Sequence, residues 1–353
     1  MNILILPGDG IGPEITTATM TVLQAVNKEF ALPLTFTTEE IGLVSLKNRG
    51  STLPETVLEA TRRADGVILG PVSHSDYPPR AEGGINVSSE LRIVLDLYAN
   101  IRPSRSRKGI PHWGRTAMDL VIVRENTEGF YSDRNMVAGT GEFMPTEDIA
   151  LSVRKITAFA SNRIARAAFE LAETRRKRVT AVHKANVIKL SEKLFLREVR
   201  KVAQDFGTVQ LDEIIVDAMA SYLVRDAARF DVIVTTNMFG DILSDEAAEL
   251  SGSLGLAGGL NVGKDLAVAQ AQHGSAPDIQ GQDKANPTSL ILSAAMLLEW
   301  LGQRHNHVAL TKAARSINAA VDAALADPAN HTRDLGGRLG TQAFANTVVE
   351  KLD

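Results

Sequence analysis

The sequence predicts an α/β protein of two domains, and three observations carry that expectation. Short apolar runs alternate with longer segments of helical periodicity, the runs stop at glycine, proline or a charged residue, and 353 residues exceed the usual size of one domain. The composition, 44% hydrophobic and 23% charged, is that of an ordinary folded chain rather than a disordered or collagen-like one.

Taken in order, residues 2–6 read as a short buried strand, which Pro7-Gly8-Asp9-Gly10-Ile11-Gly12-Pro13-Glu14 breaks. The apolar period from Ile15 to Val26 predicts a helix, and Pro13 suits its first turn. Further strands are expected at Val67-Ile68-Leu69, at Leu120-Val121-Ile122-Val123 before Arg124, from Val179 to Val182 before Lys184, and from Asp231 to Thr236 before Asn237. The clearest helical period runs through 146–176, where Ile149, Val153, Ile156, Ala160, Ile164, Ala167 and Leu171 recur at three or four residues, with a break expected near Ser161-Asn162. Helices are also predicted at 288–302 and 308–325. Residues 72–90, rich in Pro, Gly and Ser, and 251–265, rich in Gly and Leu, read as crossings between domains.

Bulk properties exclude several function classes. A net charge of -4 gives no pull toward nucleic acid, and the basic run Arg175-Arg176-Lys177-Arg178 reads as the solvated end of a helix. The chain has no cysteine, so any metal must be held by oxygen or imidazole. The N-terminus lacks the cationic start and long apolar stretch of a secretory signal, and no apolar run approaches the ~20 residues of a membrane span. A cytoplasmic protein with no membrane and no nucleic-acid partner is expected.

Gly8-Asp9-Gly10-Ile11-Gly12, between strand and helix, invites a phosphate-binding reading because glycine lets backbone approach a phosphate. Its third glycine comes one residue too early for the Rossmann fingerprint, and the Gly-Lys-Ser/Thr ending of a P-loop is missing. A tight strand-to-helix turn explains it equally well. A nucleotide-hydrolysing enzyme loses its main support with the missing P-loop ending.

Asp241 and Asp245 open the segment DILSDEAAEL, and on a helix a spacing of four puts both carboxylates on one face. Such oxygens suit a hard cation, Mg²⁺ or Mn²⁺, but acids at a helix start also complement its dipole, and the pair alone favours that plainer role. Asp217 and Lys184 each follow an apolar run, and a lysine beside a bound cation can accept a proton. Arg92, Arg102 and Arg124 could each clamp a carboxylate through the guanidinium fork, although surface ion pairs are the commoner role. His183 and His273 have no second histidine at ligand spacing and read as polar or packing residues.

Six segments then act together: PGDGIGPE at 7–14, LDLYANIRP at 95–103, RENTEGFYS at 124–132, HKANVIK at 183–189, the long run VDAMASYLVRDAARFDVIVTTNMFGDILSDEAAELSGSLGLA at 216–257, and HGSAPDIQGQDKANPTS at 273–289. From the first strand to about residue 337 the chain resembles the β-decarboxylating dehydrogenases, the family of isocitrate, isopropylmalate, homoisocitrate and tartrate dehydrogenases. The resemblance implies a two-domain α/β fold that is not a Rossmann fold. Residues 1–98 and 252–353 would form the large domain with the NAD-binding loops, and 99–251 the small domain with the dimer interface.

It further implies a homodimer with shared active sites, NAD, and Mg²⁺ or Mn²⁺. Asp241 and Asp245 of one subunit and Asp217 of the other would bind the metal, with Tyr131 of the first subunit and Lys184 and Asp217 of the other handling protons. Arg92, Arg102 and Arg124 would grip the carboxylates of a hydroxy-diacid or triacid, while Ser88 and Asn186 would face its C3 group. The loop His273-Gly274-Ser275-Ala276-Pro277-Asp278-Ile279, closing at Asn286, would take the cofactor's adenosine end, and Asp278 would repel a 2′-phosphate. The activity implied is oxidative decarboxylation of a 3-substituted (R)-malate to a 2-oxo acid and CO₂. The C3 substituent stays open among isopropylmalate, isocitrate, homoisocitrate and tartrate or malate types, because Ser88 and Ser89 replace the leucines typical of isopropylmalate enzymes. The alternative is a noncatalytic regulatory or binding subunit of the same fold.

Overall fold

The apolar run after Met1 forms strand β1 (Asn2–Leu6), with Ile3 to Leu6 buried. The turn that follows leads into helix α1 (Gly12–Glu29), with proline in its first turn as the sequence predicts. Strand β2 (Thr35–Thr38), helices α2 (Gly42–Arg49) and α3 (Glu55–Arg63), strand β3 (Gly66–Leu69) and helix α4 (Val87–Val94) come next. Asn86 starts α4 by accepting the Ser89 amide at 3.1 Å, which satisfies a backbone donor the first turn leaves open. The computed structural model describes residues 1–131, 136 and 139–353, so Ser132, the last residue of RENTEGFYS, lies outside it.

The middle of the chain supplies β4 (Ala99–Arg105), β5 (Asp119–Glu125), β6 (Glu142–Thr146), β7 (Ile149–Ser152), α5 (Ala158–Glu173), β8 (Arg178–His183) and α6 (Ser191–Ala203). It continues through β9 (Gln210–Ile215), α7 (Val216–Asp226), β10 (Val232–Thr235) and α8 (Asn237–Ser251). The last part adds β11 (Leu260–Val262), β12 (Ala267–Gln270), α9 (Thr288–Arg304), α10 (Val308–Leu325) and α11 (Thr341–Val349).

These elements form two units, Met1–Leu95 with Arg107–Pro111 and Gly252–Asp353, and Asp96–Ser106 with His112–Ser251. In the first, the strand order is β2-β1-β3-β12-β11, parallel except for β11 against β12. In the second it is β4-β5-β10-β8-β9, parallel except for β4 against β5. All of β10 and the middle of β8 are buried, as parallel strands covered by helices must be. The mixed α/β architecture is the predicted class. Among the described residues, no helix is long and apolar enough to cross a membrane.

One expected element is wrong. The helical period over 146–176 belongs to a helix only from Ala158, and no break occurs at Ser161-Asn162. Residues Glu142–Thr146 and Ile149–Ser152 are instead an exposed antiparallel hairpin, with Ile149 47% and Leu151 46% exposed. Thr157 sets the true start, because its side chain accepts the Ala160 amide at 3.1 Å. Asp217, which follows an apolar run in the sequence, lies in the first turn of α7, immediately after β9.

Candidate active site

Helix α8 carries Asp241 and Asp245 on one face, as the spacing requires, and Arg102 from β4 reaches both. Its Nη1 donates to Asp241 Oδ1 at 3.1 Å, Asp245 Oδ1 at 3.2 Å and Ser244 Oγ at 2.7 Å. Arg124, at the end of β5 and 2% exposed, also pairs with Asp241. Asn237, at the start of α8, aims that second guanidinium. Its Oδ1 accepts Nε at 2.9 Å and Nη2 at 2.7 Å, while its Nδ2 donates to the Glu128 carbonyl at 2.8 Å. Gly240 lets the helix come this close, since a Cβ there would lie 2.7 Å from Arg124 Cβ and Cγ. The Tyr131 hydroxyl donates to Asp241 Oδ2 at 2.6 Å and accepts from Arg124 Nη2 at 3.2 Å. Two arginines, a phenol and two carboxylates thus meet within one unit.

Burial, with the Asp241 charge beside it, holds the Asp245 carboxyl above its ordinary value against the opposing pull of Arg102. As donors, two carboxylates on one helical face fit a hard cation. Among the described residues no group of three or more His, Cys, Asp or Glu could hold a metal, so Asp217 does not complete the set within one chain. Asp217 instead pairs with the Lys184 ammonium, whose hydrogen bond holds the carboxyl below its usual range. Asn186 is exposed two residues on from Lys184, in a turn closed by Val187 and Ile188 amides on the Lys184 carbonyl at 3.0 and 2.9 Å. His183 packs half-buried, its Nδ1 accepting the Ala185 amide at 3.1 Å.

In the other unit, α4 presents Ser88 and Arg92 one turn apart, and Gln270 at the end of β12 accepts from both, at 3.0 and 3.5 Å. The expected cofactor loop borders a cavity of about 350 Å³ lined by His273, Ala276, Ile279, Asn286, Arg333 and Asp334 among others. Asn286 Nδ2 donates to Asp334 at 3.0 Å, and Asn286 Oδ1 accepts the Thr288 amide at 3.0 Å, which fixes the amide at the cavity wall. His273 Nδ1 donates to the Gly274 carbonyl at 3.0 Å, and burial pushes the imidazole below its ordinary value. Gly274, Pro277 and Asp278 are exposed, and Ser275 is buried against Ser73, with Oγ to Oγ at 2.7 Å.

The glycine loop proves to be a support for that cofactor loop. Ile11 N donates to the Ser275 carbonyl at 2.8 Å, and a Cβ on Gly10, which has φ +57°, would lie 2.0 Å from the same oxygen. Asp9 anchors it from beneath, accepting Leu43 N at 2.7 Å, Ser73 N at 3.0 Å and the Tyr77 hydroxyl. Burial and the Asp9 carboxylate raise the Tyr77 phenol, so Tyr77 stays protonated and Asp9 keeps its donor.

Sequence reasoning missed Asn237, Gly240, Arg333 and Asp334. Asn237 lay inside a quoted motif without a role, and nothing local marks Arg333 or Asp334, which reach the cavity from a stretch some fifty residues beyond the loop they face. It also missed Glu125 and Glu128, two buried carboxylates behind Tyr131. Glu125 accepts Thr127 N at 2.9 Å, while Glu128 accepts Thr157 N at 2.7 Å and Thr157 Oγ1 at 2.9 Å. Burial raises both acids, Glu128 to about 7.

Comparison with known proteins adds to this geometry. The family described as isocitrate/isopropylmalate dehydrogenase matches residues 2–351. An isocitrate/homoisocitrate dehydrogenase of Thermus thermophilus is 44% identical over 352 residues, covering 99% of this chain and 98% of that one. A 3-isopropylmalate dehydrogenase of Archaeoglobus fulgidus is 41% identical over 353 residues, covering 100% and 99%. The crystal structure of isocitrate dehydrogenase from Methylococcus capsulatus superposes with a TM-score of 0.84 at 38% identity, covering 99% of this chain and 98% of its own.

Proposed function

As a member of the isocitrate/isopropylmalate dehydrogenase family the chain is an oxidoreductase acting on a CH–OH donor, and we propose that it oxidises and decarboxylates a 3-substituted (R)-malate with NAD and a divalent cation. The observation that carries the reading is the meeting of Arg102, Arg124 and Tyr131 on Asp241, which puts carboxylate clamps and a proton donor beside a pair of hard oxygen ligands. When bound, the nicotinamide takes hydride from C2 and the cation draws charge from the C2 oxygen.

The chain's own residues do the rest. Arg102 and Arg124 hold the substrate carboxylates by their forks, and Arg92 has the same role by resemblance. Asp241 and Asp245 would hold the cation, together with Asp217 of a second subunit. Lys184, paired to Asp217, takes the C2 hydroxyl proton as hydride leaves. The 2-oxo group then accepts the electron pair of the C3–carboxylate bond as CO₂ departs, and Tyr131 delivers a proton to C3 of the resulting enol. At C3, the half-buried Ser88 hydroxyl and its Gln270 partner offer polar contacts, which favours an acid-bearing substituent of the isocitrate or homoisocitrate type over a branched alkyl group.

The cavity under His273 suits an adenosine, and the exposed carboxylate of Asp278 beside it favours NAD over a cofactor with a 2′-phosphate. The exposed apolar side chains Phe143, Met144, Ile149 and Leu151 on the hairpin, and Val224 and Ile242 on α7 and α8, give a second subunit a surface to cover. The test is reduction of NAD and of NADP with isocitrate, homoisocitrate, isopropylmalate, tartrate and D-malate, each with Mg²⁺, with Mn²⁺ and with a chelator. We expect cation-dependent NADH formation with isocitrate or homoisocitrate. No turnover of any of the five by the folded, metal-loaded protein would defeat the reading.

A further inference from the structure

Three segments of the second unit carry the proposed proton-transfer chemistry: the turn before Tyr131, the Lys184 turn, and the start of α8. A single buried side chain, Arg154, touches the first and the last, and reaches the Lys184 turn through Glu192. Arg154 lies in the strap between β7 and α5, which pairs with the first segment through Lys155 and Gly129, each donating its amide to the other's carbonyl at 3.0 Å. The Arg154 guanidinium sits 5.6 Å from the Phe130 ring centroid and 5.5 Å from that of Phe239, within cation–π range of one residue beside Tyr131 and one in the first turn of α8. Its Nη2 donates to Thr236 Oγ1 at 3.0 Å, immediately before Asn237, and its Nη1 donates to Ser191 Oγ at 3.0 Å.

The same fork pairs with Glu192, a fully buried carboxylate at the start of α6. The other oxygen of Glu192 accepts the Lys184 amide at 2.7 Å. The Arg154 side chain is 7% exposed and that of Glu192 0%. A charge pair this deep gives little net stability over an apolar pair of the same volume, because desolvating two ions offsets their attraction. What it does supply is direction. A planar fork with donors on several sides can fix three backbone segments relative to one another, which a hydrocarbon side chain cannot.

We infer that Arg154, through Glu192, is a positioning residue that fixes the Lys184 turn, the Tyr131 turn and the start of α8 of one chain relative to one another, and so sets the proton-transfer groups both of its own site and of the partner site to which the chain lends Lys184. Every contact the structure gives Arg154 is to the protein, and its side chain is 7% exposed. The inference rests on the roles proposed above for Lys184 and Tyr131, and its test must separate the two.

The probe is Arg154→Lys, which keeps a cation against Glu192 but cannot reach Ser191, Thr236 and Glu192 together. Beside it stands the double variant Arg154→Met/Glu192→Gln, which leaves no unpaired buried charge and so guards against simple unfolding. Two readouts are taken, steady-state kinetics with the best acid of the panel, and amide hydrogen exchange over residues 128–131 and 184–188. Both variants should fold, keep KM for NAD within about twofold and lose about 100-fold in kcat, the scale of a displacement of roughly 1 Å in a reacting group. Exchange should quicken in both segments together, although they lie on different elements. Wild-type kcat and wild-type exchange in the folded Arg154→Lys protein would overturn the inference, as would equal losses in kcat and in NAD affinity. If the wild-type protein turns over none of the acids, the dehydrogenase reading falls. The exchange arm still decides whether Arg154 couples the two turns.

Discussion

Asp241 receives Arg102, Arg124 and Tyr131 at once, and Asp245 shares Arg102. The two aspartates therefore balance the two arginines. A dication on the aspartates would release both forks for the carboxylates of the acid, so charge stays matched on both sides of the exchange. Asp241→Asn removes one of those charges and leaves a neutral amide oxygen where the proposed cation would meet a carboxylate. It should lower kcat by at least about 100-fold, several kcal/mol of lost charge stabilisation, and raise the Mn²⁺ concentration needed for half-maximal rate. A Mn²⁺ titration checks both, and an unchanged cation requirement would remove Asp241 from the metal site. Glu128 makes a separate prediction, about pH. Its folded value lies near 7, above the ordinary 4.5, so the stability it contributes is full below 4.5 and is lost as pH rises through about 7. Urea unfolding should show a loss of at most about 3 kcal/mol from this group between about pH 5 and about pH 8, and Glu128→Gln should flatten that part of the slope. An identical slope in the variant would mean that another carboxyl carries the effect. Neither Glu128 nor Arg154 was legible as part of a site, because their roles depend on partners distant in sequence. Arg154 reaches across 37 residues to Ser191 and 82 to Thr236.

At the scale of elements, sequence patterning found the buried strands well and misjudged the hairpin. Residues 2–6 form a strand with the expected limits, and 308–325 a helix with the expected limits, because burial enforces the period there. In β6 and β7 every residue is exposed, so no core selects the pattern, and the spacing of Ile149 and Val153 from the residues of α5 is accidental. The pairing of Asp241 and Asp245 on one face followed from helical geometry alone. Their significance did not, and it came from the long segment around them. The closeness of α8 to β5 rests on Gly240, so Gly240→Ala should displace Arg124 and cost about 1–3 kcal/mol through overpacking. It should also raise KM for the acid while leaving KM for NAD unchanged. A fall in thermal stability with both constants unaltered would show that the helix yields without moving the arginine.

At the scale of the whole molecule, Lys184 and Asp217 hold each other while Asp241 and Asp245 hold Arg102, and among the described residues no third His, Cys, Asp or Glu joins the second pair in a group that could hold a metal. If the site is completed by a second subunit, two dead variants should rescue one another. Lys184→Ala and Asp241→Asn proteins, unfolded together and refolded, should recover about a quarter of wild-type activity, since half of randomly paired dimers are mixed and each contains one intact site. Recovery no greater than the sum of the separately refolded variants would place all the groups in one chain. The fold class and the family-bearing motifs were legible in the sequence. The cavity behind His273 was not, because its walls come from residues 11, 253, 255, 333 and 334 as well as from the loop itself.

The division of the chain also has a consequence for its synthesis. Strand β3 pairs with β12, Val67 opposite Val268, so an inner edge of the first sheet stays open until the ribosome has added the whole middle unit. At about 5–20 residues per second that is roughly 10–40 s, during which an apolar parallel strand lacks its neighbour while the middle unit is being completed. The nascent chain therefore carries an unpaired inner strand edge from the synthesis of β3 until β12 emerges.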